Sequence, residues 1–289
     1  MRHLLGVLLV VVICAWPLSD AFAFRITLTC GDWPEDVVCG DGDVSLPTYW
    51  EKPCISFYLN EQGTKQMKFV DVMDVVKQSI VAWNHPEKSS LTLNYAGLTN
   101  EDRVGFNPYI NDNANIIVFR DGDSWEESSM MMALTTVTHS RSTGVIYDAD
   151  IEVNTSSFKY GIFEKDGVGV VDLQNTLTPE IGHAFGLAHS DVLDATMFPY
   201  SSTGDISLRT LDEDDLAAIE NLYPPSNSQC KFGAEDYFVR PKYAMNEGPA
   251  QNTEDCSGIP MGRQAPLGWG LLLLGVLCIL KKRRGLRKQ

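Results

Sequence analysis

The stretch TPEIGHAFGLAHS, residues 178–190, constrains this chain more than any other part of it. Side chains three or four apart on a helix share a face, so Glu180 and His183 belong together if the stretch opens as a helix. Gly186 then supplies a backbone state that other residues resist, which ends the helix and turns the chain so that His189 comes back toward His183. Two imidazoles placed like this can bind one zinc ion, and a glutamate beside them can take a proton from a metal-bound water. Pro179 stands four residues before His183, on the same face, where a further ligand would belong. It has no side-chain donor and no backbone N–H. A helix running from Asp172 through Pro179 is therefore expected to kink or break, at a cost of about 3 kcal/mol. The escape is a fresh helix with Thr178 as its cap and Pro179 at its first position.

Around this stretch the pattern is mixed. CISFYLN (54–60) alternates as a strand does, and Phe69, Val72, Met73, Val76, Ile80 and Trp83 recur at helical spacing up to His85-Pro86. Strand-like runs follow at 91–95, 115–119, 133–138 and 144–154. A helical zone lies between Asp172 and Leu187. A last helix begins at Asp212 as cap, with Glu213, Asp214 and Asp215 in its first turn, and runs to Tyr223. The predicted class is α+β.

Taken with these elements, residues 178–190 resemble the H-E-x-x-H-x-x-G-x-x-H signature of the matrixin branch of the metzincin zinc metalloproteases, with Pro179 in the place of the first histidine. Ser190 follows the last histidine, Met197 in ATMFPY resembles the family's Met-turn, LDEDDLAAIENLYP its closing helix, and GVIYDADIEVN the strand that lines its cleft. The resemblance runs from about Pro53 to Pro225. It implies a twisted mixed sheet with a long helix above a cleft, an active-site helix beneath, and a C-terminal helix. It also implies Glu180 as general base and His183 and His189 as zinc ligands. Asp148, Asp150 and Glu152 share one strand face and could ligate calcium, the alternative being a solvated acidic face. His139 is the one histidine in the region where the family collects ligands for a structural zinc, so that second zinc is not expected.

The ends read as addresses. Residues 1–23 have a basic start, an apolar run and a small-x-small close at Ala21-Phe22-Ala23, the features of a signal peptide. Gly268 to Leu280 is apolar and is followed by six basic residues, which resembles the C-terminal sorting tails of bacterial surface proteins, with Cys256 as a candidate processing residue. The expected organisation is a signal peptide (1–23), a cysteine-containing lead-in (24–53), the protease-like domain (54–225), a stalk (226–266) and a hydrophobic helix with a basic tail (267–289). Cys30, Cys39, Cys54 and Cys230 could form two disulfides, in any of three pairings. The net charge of −15 includes that basic tail, so the body is more acidic still, which argues against nucleic acid as a partner.

Two functions follow. The first is an exported or surface-anchored zinc metalloendopeptidase that acts on proteins or peptides, impaired by Pro179 and attached to the cell envelope through its tail. The second is an inactive pseudoprotease that keeps the cleft to bind peptides or a partner.

Overall fold

Cys54 to Asn60 alternate between half-buried and buried, as a strand covered on one face must, and this strand lies inside a seven-stranded mixed sheet. The computed structural model describes residues 23–30, 44–109, 113–226 and 230, together with the backbone of 250–258. The elements are β1 (Arg25–Ile26), β2 (Cys54–Asn60), α1 (Phe69–Ala82), β3 (Thr92–Thr99), β4 (Asn115–Phe119), β5 (Met131–His139), β6 (Ile146–Val153) and β7 (Tyr160–Gly161). They continue with α2 (Phe163–Asp166), β8 (Val171–Asp172), α3 (Leu173–Ala184), β9 (Leu187–Ala188), β10 (Tyr200–Ser201), α4 (Glu213–Leu222) and β11 (Ala250–Gly258).

The sheet order is β10-β11-β5-β6-β4-β2-β3. Strands β3, β2, β4 and β6 run parallel, and β5 turns antiparallel to β6. Helix α1 buries Val72, Val75, Val76 and Ile80, and α3 packs against both α1 and the inner strands. Their junction is Trp83. Its fully buried indole donates from Nε1 to the carbonyl of Thr178 (2.8 Å) and meets the Phe185 ring edge-on, with centroids 4.9 Å apart. Tyr223 Oη donates to Phe185 O and Trp50 Nε1 to Ala184 O. The carbonyls that a helix end leaves without partners are thus met by side chains.

Two expectations change, for α3 and for the stalk, and the lead-in gains contacts on which the sequence was silent. Helix α3 runs unbroken through Pro179, and Thr178 is no cap, since its hydroxyl bonds back to Gln174 O (2.8 Å) within the helix. Asp172 caps instead, accepting from the backbone of Asn175 (2.9 Å). Burial accounts for this: eleven of the twelve residues of α3 are buried, and that packing outweighs a local cost of about 3 kcal/mol. The lead-in is stitched to the domain, because β1 pairs with β9 and Tyr49 bridges to Val145. Within the stretch read as a stalk, Ala250–Gly258 is a strand of the main sheet, and Cys256 stands opposite Ala133.

Chain contacts divide the protein into residues 1–259 and 260–289. All the elements above belong to the first unit. The signal segment up to residue 22, the strand-like DYFV (236–239) and the C-terminal apolar helix lie outside the described residues. Among the described residues no helix is long and apolar enough to cross a membrane. Of the possible cysteine pairings the structure forms Cys54–Cys230, and Cys30 is also disulfide-bonded.

The Cys54–Cys230 bridge closes a loop with a sequence separation of 176. Replacing both cysteines by serine is expected to lower the unfolding free energy by about 2–5 kcal/mol in urea titrations. An unchanged midpoint would show that the bridge constrains little.

Candidate metal and peptide site

Helix α3 presents Glu180 and His183 on one face, both fully buried. The chain then bends at Gly186, where φ is +105° and an added Cβ would lie 2.4 Å from Thr48 O. Glycine meets both conditions at once. Gly186 N donates to His183 O and Gly186 O accepts from Thr27 N, while β1 holds the following Leu187–Ala188 in place. His189 is thereby returned to His183. The two rings meet edge-to-face, with centroids 4.7 Å apart.

The protonation of His183 follows from its partners. Its Nδ1 is 2.8 Å from the carbonyl of Leu187, which can only accept, so Nδ1 carries the hydrogen and Nε2 keeps a lone pair. Burial, then the charge of His189, push its pKa well below the ordinary histidine value against that hydrogen bond, which favours the neutral ring. Neutral imidazole is the metal-binding form.

Met197 lies against α3 at Gly182, and its carbonyl accepts from Ser190 N (2.8 Å). An added Cβ on Gly182 would be 2.4 Å from Met197 Sδ and 2.9 Å from Trp83 Cζ2, so the missing side chain is what lets the methionine loop close on α3. That loop is held from α4. Asp215 accepts from the backbone N–H groups of Thr196 and Met197, and Ser190 donates to Asp214 (2.6 Å). Burial pushes the Asp215 pKa up to about 6 although three backbone N–H groups pull it down. Asp214 also accepts from the N–H groups of Ala23 and Phe24.

The glutamate is positioned from the sheet. Thr135 Oγ1 on β5 lies 2.5 Å from Glu180 Oε2 and 3.0 Å from Glu180 O. No sequence signal marks Thr135, Gly182 or Trp83 for these tasks. The acids of α4 were legible as helix-end acids, though their hold on the methionine loop was not.

The structure therefore brings Glu180, His183, His189 and Met197 together and leaves the position of Pro179 without a donor. Asn175, one turn earlier, engages Ser201 and Leu208 through its side chain. His139 sits four residues beyond Thr135 on β5, roughly 13 Å along the strand. Among the described residues no group of three or more His, Cys, Asp or Glu side chains could hold a metal ion. A catalytic zinc takes three protein ligands. Two imidazoles suit the metal, and the set falls one ligand short.

The strand acids form a separate group. Asp148 and Asp150 are 2% and 1% exposed, so the solvated face expected as one option is absent. Asp150 accepts from the backbone N–H groups of Gly105 and Ile116, while Glu152 pairs with Arg120. As placed, the three do not form one calcium ligand set. Burial, then the charge of Asp148, hold Asp150 protonated well above the carboxylate range. Burial raises Asp148 to about 6 against the proton offered by Asp150 and the charge of Arg103.

Comparison with known proteins agrees with this geometry. The family described as Matrixin matches residues 49–224. A plant relative, Metalloendoproteinase 5-MMP of Arabidopsis thaliana, is 34% identical over 113 residues, which is 37% of this chain and 31% of that protein. The match thus spans about a third of the relative's length.

Two outcomes are expected. Gly182→Ala pushes on Met197 and Trp83 and lowers stability by about 1–3 kcal/mol in urea titrations, and an unaltered midpoint would mean that the loop does not press on α3. Burial lifts the Asp148 pKa from the ordinary aspartate value of 3.8 to about 6, so between these values the folded chain holds more protons than the unfolded one. Its burial then costs stability as pH rises through this window, by roughly 3 kcal/mol in all. Relative to the wild type, Asp148→Asn should gain stability between about pH 4 and pH 7, and parallel pH profiles would refute the buried pair.

Proposed function

Because the chain belongs to the matrixin family of zinc metalloproteases, and because Pro179 fills the first ligand position inside an unbroken α3, we propose that it is an exported, peptide-binding member of that family with severely weakened hydrolysis. The single observation that carries this reading is the junction of Pro179 with the pair His183 and His189. The active-site-like helix, the glycine bend and the methionine loop surround a donor set that lacks one ligand.

What the residues can still do is limited and specific. Glu180, held by Thr135, offers a buried carboxylate at the centre of the site. His183 offers the Nε2 lone pair of a neutral ring. Losing merely an indirect partner of a metal ligand commonly costs about 10 to 100-fold in affinity or activity, and losing a direct ligand costs more. Protein and peptide chains are the class of molecule that the family points to.

Export and envelope association complete the proposal. The signal-like segment 1–23 and the apolar run with its basic tail at 268–289 support it, and so does the Cys54–Cys230 bridge, since disulfides persist in oxidising compartments.

The test compares the wild type with Pro179→His and with Pro179→Ala, which restores the helix N–H without a ligand. Zinc per chain and chelator-sensitive digestion of casein are measured for each. The proposal expects zinc affinity to rise by at least about 100-fold in Pro179→His alone, with cleavage appearing only there. Equal zinc content and equal chelator-sensitive cleavage in all three proteins would defeat it.

A further inference from the structure

Strand β11 has no counterpart in the motif chemistry, yet it occupies the most telling place in the sheet. It runs antiparallel to β5, from Ala250 opposite His139 to Cys256 opposite Ala133, and its last two residues run parallel to β10. Both neighbours belong to the site. β5 carries Thr135, the residue bonded to the Glu180 carboxylate, and β10 begins three residues after Met197. β11 also lies against α3. In register, Glu254 stands opposite Thr135, so the middle of β11 passes at the level of Glu180.

Without β11, the outer edge of β5 would present a row of backbone donors and acceptors beside Glu180, with β10 as the facing wall. Such an edge recruits an extended peptide by strand addition, in which main-chain hydrogen bonds supply the affinity. The geometry points to Ala250–Gly258 as an in-chain peptide that fills the extended-peptide slot of this site. The inference rests on reading the site as a peptide cleft, and it names that cleft's resident occupant.

The segment's own sequence, AQNTEDCSG, suits a replaceable occupant. It has no large apolar side chain, and Asn, Asp and Gly are poor strand formers, so the main-chain ladder carries the binding. Tethering compensates, because a linked segment acts at an effective concentration on the order of millimolar. A free peptide then competes poorly until the ladder is loosened. One that anchors better displaces the segment.

The test uses the full chain and a Thr253→Pro/Glu254→Pro variant. Adjacent strand residues point their N–H groups to opposite sides, so one of the two prolines removes a bond to β5 whichever way the strand faces. Hydrogen exchange reads the β5 amides, and fluorescence anisotropy reads binding of labelled AQNTEDSSG, with serine in place of the cysteine. Expected are protected outer-edge β5 amides and weak peptide binding in the wild type. In the variant, protection is lost and the peptide binds at least about tenfold more tightly. Rapid exchange of those amides in the wild type would overturn the inference and leave the peptide-cleft reading standing. Loss of protection in the variant with no gain in peptide binding would overturn the inference and count against the cleft as a peptide site, independently of zinc content in Pro179→His. A Gln251→Pro/Asn252→Pro variant, nearer the end of the strand and again covering both facings, repeats both readings if the first variant does not fold.

Discussion

Nearly complete burial of α3 is the condition that the rest of the structure obeys. A helix with eleven of twelve residues buried cannot leave polar groups to water, so each must find a partner inside. Asp172 meets its first turn, Trp83 meets Thr178 O, Trp50 and Tyr223 meet its last carbonyls, and Thr135 meets Glu180. Apart from the helix's own cap at Asp172, these contacts come from the lead-in, the end of α1, β5 and the end of α4. The helix is therefore fixed from four directions, and the site residues inherit that rigidity.

Proline at 179 is tolerated for the same reason that it is damaging. Packing around α3 is strong enough to hold a helical path that proline opposes locally, so the fold survives the substitution. Ligand chemistry has no such reserve. An imidazole four residues before His183 would share a face with it, and a pyrrolidine ring offers nothing there. Structure and chemistry separate at this one residue: Gly186, Met197, Asp214 and Asp215 hold the loop and bend around His183 and His189, and residue 179 adds no donor beside them.

Much of this was legible from the sequence where local rules and tertiary context agree. Alternation marked Cys54–Asn60, a short strand-like run marked Asn115–Phe119, apolar spacing marked α1, and the acidic turn at Asp212 marked α4, which carries the expected cap. The spacing of Glu180, His183, Gly186 and His189 placed the site, because a helix followed by a glycine bend is short-range geometry. Long-range facts were not legible. Period-two alternation said that Asp148 and Asp150 share a face, and was silent on whether that face is covered. The unbroken path through Pro179 depends on Trp83 and Met197, which are remote in sequence. β11 is polar and weakly strand-forming, and the unpaired edge of β5 makes it a strand.

The central claim is that a buried, neutral His183 and a half-buried His189 converge across Gly186. Nitrogen-15 NMR of the histidine side chains, with the metal removed, tests it most directly. The account predicts His183 as the neutral tautomer carrying hydrogen on Nδ1, with through-space contacts between its ring protons and those of His189. A charged His183 ring, or two rings without mutual contact, would contradict it.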